Sequence, residues 1–136
     1  MQPVFFYGLF MDEALLREKG MSPSKPLLAF VDGFGLRIGE RATLIKSDDE
    51  RAYGLIMSLS DQELSILYGD ESVADYIPEN ITAITENKEL VNVISYNLPL
   101  EKLSGQNMQY AESLAIVAKK VGLPAEYISE IQHWAD

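Results

Sequence analysis

Between Leu27 and Ile38 the chain is mostly apolar, and Gly33 and Gly35 break the run. Glycine inside a strand marks a bulge or a close backbone approach. The run therefore reads as one bent strand or two short ones, and any sheet built on it must accommodate the bend. Further strand-like segments lie on either side. Residues 2 to 7 form a short apolar strand, with Pro3 at its beginning or on an edge because it lacks an N–H. Arg41 to Lys46 and Arg51 to Leu59 read as two strands, with Ser47-Asp48-Asp49-Glu50 as the hairpin turn between them. Ile77 to Ile84 and Leu90 to Leu98 read as a last pair around Glu86-Asn87-Lys88.

Helix signals are fewer. Asp12 can cap a short helix through Lys19, with Leu15 and Leu16 inward and Gly20 ending it. Ser22-Pro23-Ser24-Lys25-Pro26 is a loop. Ser60-Asp61-Gln62-Glu63 is a capping box that opens a helix with Leu64 and Leu67 on one face; Gly69 ends it, and Asp70-Glu71-Ser72 begins a polar connection. Tyr110, Leu114, Val117 and Val121 repeat at helical spacing. Gly122 is a C-cap, and Pro124 opens a final helix whose apolar face is Tyr127, Ile128, Ile131 and Trp134. Many strands with few helices predict an α+β fold, a small mixed β-barrel or curled sheet with peripheral helices. With 136 residues, 47 % of them hydrophobic, and no internal repeat, the chain reads as a single domain over residues 1–136.

Composition removes several chemistries. The absence of cysteine excludes disulfides, thiol catalysis and thiolate metal sites, and fits a cytoplasmic setting. One histidine, His133, cannot make a multi-histidine metal site, and its place beside Trp134 reads as packing. A net charge of −10 opposes binding to nucleic acid or to an anionic membrane surface. No apolar run reaches the length of a membrane span, and no signal-peptide pattern is present.

Two segments carry candidate chemistry. In Val4-Phe5-Phe6-Tyr7-Gly8-Leu9-Phe10-Met11-Asp12 an apolar strand passes through a glycine bend into a helix start. Such a bend can turn several backbone N–H groups toward one point and form an anion site. Glu71 follows a helix break in a short polar stretch, where a carboxylate at the lip of a dry cavity can shuttle a proton. Its ordinary alternative is a solvated loop glutamate, and Asp70 competes for the same role. Tyr7 and Tyr76 are each either cavity-facing hydroxyls or core tyrosines with hydrogen-bonded tips. Arg37 and Arg41 could meet an anionic ligand or simply be solvated.

Five motifs fall in a particular order: Tyr7-Gly8-Leu9-Phe10-Met11; Asp32-Gly33-Phe34-Gly35-Leu36; Tyr53-Gly54-Leu55-Ile56-Met57-Ser58-Leu59; Leu67-Tyr68-Gly69-Asp70-Glu71 followed by Tyr76; and Gly122-Leu123-Pro124-Ala125-Glu126-Tyr127-Ile128. Together they resemble the γ-glutamylcyclotransferase-like superfamily, including its AIG2-like and γ-glutamylamine cyclotransferase branches. The resemblance implies release of 5-oxoproline from a small γ-glutamyl amide, with Glu71 as general acid and base. It implies that the loop Gly8–Met11 holds the substrate through backbone N–H groups, with Leu9 and Phe10 shaping the pocket, and that neither metal nor organic cofactor takes part. Many active members carry a small polar residue and then Asn or Leu after Tyr-Gly, where this chain has Leu9 and Phe10, and the family's helix-end aspartate is Tyr68 here. Two other functions compete: a non-catalytic small-ligand binder of the same fold, and a homodimeric interaction module built on the terminal helices.

Overall fold

The computed structural model describes residues 1–135. Five strands, β1 (Gln2–Phe6), β2 (Leu27–Ile38), β3 (Ala42–Leu59), β4 (Ile77–Thr85) and β5 (Leu90–Asn97), close into a barrel in the order β1-β3-β2-β4-β5. β1 meets β5 in parallel at Val4 and Ile94, and the other neighbours are antiparallel. Four helices accompany the barrel: α1 (Glu13–Glu18), α2 (Asp61–Tyr68), α3 (Met108–Val121) and α4 (Ala125–His133). This is the α+β mixed barrel that the strand order predicts. Among the described residues no helix is long and apolar enough to cross a membrane.

Leu27 to Ile38 is one bent strand. Gly33 takes φ +81°, and the pairing with β3 slips there, so that Asp32 faces Arg51 while Phe34 faces Lys46. The expected hairpin turn at Ser47–Glu50 is not present. β3 runs on through these residues for 18 positions, and they stand as a bulge opposite Gly33. The reversal comes earlier, at Gly39-Glu40-Arg41, where the Gly39 N–H donates to the Arg41 carbonyl at 3.0 Å and Ile38 pairs with Ala42. A polar tetrapeptide looks alike in a turn and in a bulge. Here Glu50 holds the bulge, accepting from both terminal nitrogens of Arg37 at 2.6 and 3.0 Å and from the Ser47 hydroxyl at 2.9 Å.

The local signals elsewhere act as their chemistry requires. The Asp12 carboxylate accepts from the Ala14 N–H, and Ser60 and Glu63 cap α2 reciprocally. Gly122 ends α3 at φ +90°. Leu114, Ala111 and Ala118 of α3 and Tyr127 and Ile131 of α4 are buried in the same core as Val4, Phe5, Met57 and Leu59. The α4 face is therefore core, and Trp134 lies beyond it, 40 % exposed.

One buried side chain ties the end of β5 to β3. Thr43 is fully buried; its hydroxyl accepts the Leu98 N–H at 2.8 Å and lies 3.1 Å from the Leu98 carbonyl as a donor. Thr43→Val keeps the shape and orphans that N–H. Urea denaturation is expected to show a loss of about 1–3 kcal/mol, the cost of an unsatisfied buried donor. A loss below a few tenths would mean that the hydroxyl is replaceable.

Candidate active site

β1 ends at Phe6, and Tyr7 and Gly8 lead into a 3-10 turn, Leu9–Met11, before Asp12 caps α1. Within this turn the Met11 N–H donates to the Gly8 carbonyl at 3.0 Å and the Asp12 N–H to the Leu9 carbonyl at 3.1 Å. The N–H groups of Gly8 and Phe10 donate to no other backbone group among the described residues. The turn borders a cavity of about 470 Å³ at one end of the barrel.

The rest of the lining comes from segments distant in sequence. The end of α2 supplies Tyr68, the turn after it Glu71, Ser72 and Val73, and the segment before β4 Tyr76. The β2–β3 reversal supplies Arg41 and Ala42, β5 supplies Tyr96, and the first turn of α3 supplies Tyr110. Five of the chain's seven tyrosines thus line one cavity. Among the described residues Glu71 is its one carboxylate and Arg41 its one cation.

Aromatic packing shapes the interior. Tyr68 stacks on Tyr96 with centroids 3.8 Å apart and planes 11° apart. Phe10 meets Tyr68 edge-on at 6.0 Å, and Phe6 meets Phe10 edge-on at 6.5 Å. Two of the five tyrosine hydroxyls are committed as donors. Tyr7 donates to the Tyr96 carbonyl at 2.7 Å, and Tyr76 donates to the Ala42 carbonyl. Burial pushes the Tyr7, Tyr68 and Tyr110 phenols well up and the Tyr76 phenol to about 12. They stay protonated around neutral pH, so these four phenols can donate hydrogen bonds and do not act as bases.

Glu71 is exposed at the cavity mouth. Asp70, its sequence competitor, faces away. The Asp70 carboxylate accepts from the Ser72 N–H at 3.0 Å and the Ser72 hydroxyl at 2.7 Å, which holds it below the usual carboxylate range. That turn presents Glu71 to the cavity. Of the loop residues, Tyr7, Gly8, Leu9 and Phe10 line the cavity and Met11 does not. Met11 is fully buried beneath the turn and its N–H is used by Gly8, so the expected ligand contact from Met11 is withdrawn. Tyr76 lines the wall and its hydroxyl is tied to the Ala42 carbonyl, while His133 and Arg37 lie in a separate surface depression beside Glu50.

Tyr110 and Tyr96 complete a wall whose loop, Glu71 and Tyr76 are legible in the sequence, and Arg41, which the sequence leaves as either an anion contact or a solvated side chain, lines it too. Tyr110 reads as the first position of a helix face, and nothing local separates a wall residue from a core residue there. Its hydroxyl lies 2.8 Å from the point where a Cβ on Gly8 would stand, and the Leu9 N–H faces it. Gly8 has φ −110° and ψ −153°, an extended conformation open to alanine, so the constraint on Gly8 is the Tyr110 oxygen. Gly8→Ala is expected to cost about 1–3 kcal/mol through overpacking. Adding Tyr110→Phe removes the clashing oxygen and is expected to recover most of that loss in a thermal-denaturation cycle of the two singles and the double. Strictly additive losses would contradict the contact.

No family model matches the sequence, and no curated protein sequence matches it. Solved structures share the fold. A γ-glutamyl cyclotransferase aligns with a TM-score of 0.82 at 18 % identity, over 96 % of this chain and 86 % of that one. An uncharacterized protein from Homo sapiens gives 0.77 at 20 % identity, over 96 % and 86 %. An AIG2-like protein from Mus musculus gives 0.61 at 15 % identity, over 84 % and 93 %. At such identities the likeness is one of fold.

Proposed function

Starting from this γ-glutamylcyclotransferase-like fold, we propose that the chain releases 5-oxoproline from a small γ-glutamyl amide by intramolecular aminolysis. The observation that carries the proposal is the shared cavity: Glu71, its one carboxylate among the described residues, stands in the same wall system as the Gly8–Phe10 turn. The glutamyl group binds at the turn, where the Gly8 and Phe10 N–H groups can receive a carboxylate or a developing oxyanion. The Glu71 carboxylate removes a proton from the substrate α-ammonium. The freed amine attacks the γ-carbonyl carbon, a five-membered ring closes, and a tetrahedral oxyanion forms. Glu71 returns the proton to the departing nitrogen, the oxyanion re-forms the carbonyl as the C–N bond breaks, and the ring nitrogen passes its remaining extra proton through Glu71 to the released amine, giving 5-oxoproline and an ammonium. One carboxyl group acts as base and then as acid, and the proton count balances. Folding the substrate so that amine and carbonyl meet supplies a large part of the acceleration. The aromatic wall of Phe10, Tyr68 and Tyr96 would exclude water from that fold.

A non-catalytic binder is the second reading, and the exposure of Glu71 favours it. A homodimer built on α4 has less support, because Tyr127 and Ile131 are buried in the chain's own core. The test is incubation with γ-glutamyl dipeptides, γ-glutamyl-ε-lysine and glutathione, with 5-oxoproline quantified by mass spectrometry. The proposal expects saturable product formation from at least one of them. Saturable binding without product would establish the binder instead.

A further inference from the structure

Arg41 is the one cation of the cavity wall among the described residues, and its own contacts are weak. Its side chain is 31 % exposed. One terminal nitrogen lies 3.4 Å from both the Ser72 carbonyl and an Asp75 carboxylate oxygen, and the other guanidinium nitrogens make no hydrogen bond among the described residues. Asp75 has a second partner, Lys102, at 3.1 Å. Asp75 therefore remains neutralised if Arg41 turns away from it. A planar guanidinium with free donors suits a carboxylate, which it can bind in a two-pronged geometry. The contact to Ser72, the residue after Glu71, sets Arg41 beside the proton-shuttling position, in the wall of the cavity that the Gly8–Phe10 turn also borders.

We infer that Arg41 is a specificity-determining residue that binds a carboxylate on the departing amine. Substrate would span the cavity, its glutamyl end at the turn, its scissile amide at Glu71 and the carboxylate of its leaving group at Arg41. The inference rests on the reading of the site as a γ-glutamyl amide site. It distinguishes a leaving α-amino acid from a leaving simple amine of the same shape.

The probes are γ-glutamyl-phenylalanine and γ-glutamyl-phenethylamide, which differ only in that carboxylate. In the unmodified protein kcat/KM is expected to favour the dipeptide by on the order of 10–100-fold, the size of a charge-assisted hydrogen-bond pair. Arg41→Met is expected to bring the ratio near one, and Arg41→Lys to restore part of it. A ratio is insensitive to partial unfolding, because both substrates lose equally. Lys102→Met should raise KM for the dipeptide more than for the amide, since Asp75 would then compete harder for Arg41. No preference in the unmodified protein, or a preference that survives Arg41→Met, would overturn the inference while leaving the cyclisation reading intact. If neither probe yields 5-oxoproline, the cyclisation reading fails for them, and calorimetry decides the inference. Tighter binding of the dipeptide that Arg41→Met removes would support it. Equal or undetectable binding of the two probes would overturn it.

Discussion

Glu71→Gln is expected to lower 5-oxoproline release by on the order of 10²-fold or more, the usual contribution of a positioned acid–base group. Glutamine keeps the length and shape of glutamate and cannot accept the substrate's proton. The side chain is exposed at the cavity mouth and makes no hydrogen bond among the described residues, so the fold should hold. Stability is expected to change by no more than about 0.5 kcal/mol, as for an ordinary surface substitution. The loss should fall on kcat more than on KM, because the proton is moved in the transition state while the glutamyl group is held by the turn. Glu71→Asp should retain part of the activity, limited by reach. Unchanged turnover in Glu71→Gln would remove the proton shuttle from the account.

Gly54→Ala is expected to be the most destabilising single methyl addition in the barrel. Gly54 is buried on β3 beside β1, and a Cβ there would run into the Phe6 carbonyl oxygen and lie 2.9 Å from the Phe5 ring. Backbone cannot rotate aside as a side chain can, so the two strands must separate. Overpacking of this kind costs about 1–3 kcal/mol and more where backbone is hit. For a chain of this size a fall in Tm on the order of 10 °C follows. β1 leads directly into Tyr7 and Gly8, so ligand binding should weaken with it. Gly122→Ala makes a useful contrast. Gly122 has open space around it, and the expected penalty of about 1 kcal/mol comes only from its φ of +90°. A Gly54→Ala protein within a few degrees of the parent Tm would show that the strands tolerate the methyl group.

Where a signal is local, the sequence is a sufficient guide. The Ser60–Glu63 capping box, the Asp12 cap and the Gly122 stop depend on neighbours a few residues apart, the β4–β5 pair is joined by a short connection, and each forms as its residues predict. Ser47–Glu50 fails as a turn because its fate is decided elsewhere, by Arg37 on the paired strand and by the slip at Gly33. The site divides in the same way. The glycine bend and the post-helix glutamate are legible as separate pieces, and the cavity brings them together. Its other walls are long-range: the Tyr7 hydroxyl reaches the carbonyl of a residue 89 positions away. Tyr68 stands out in the sequence only as a departure from the family pattern. Its ring stacks on Tyr96, so the helix end carries an aromatic wall in place of an acid.

The proposed cyclisation requires the Gly8–Phe10 turn and Glu71 to serve one substrate. A crystal structure of Glu71→Gln with a γ-glutamyl dipeptide bound tests it most directly. The glutamyl group is expected against the Gly8 and Phe10 N–H groups, with its α-amine within hydrogen-bonding distance of the residue 71 side chain. A dipeptide bound outside this cavity, or bound at the turn with residue 71 directed into solvent, would contradict it.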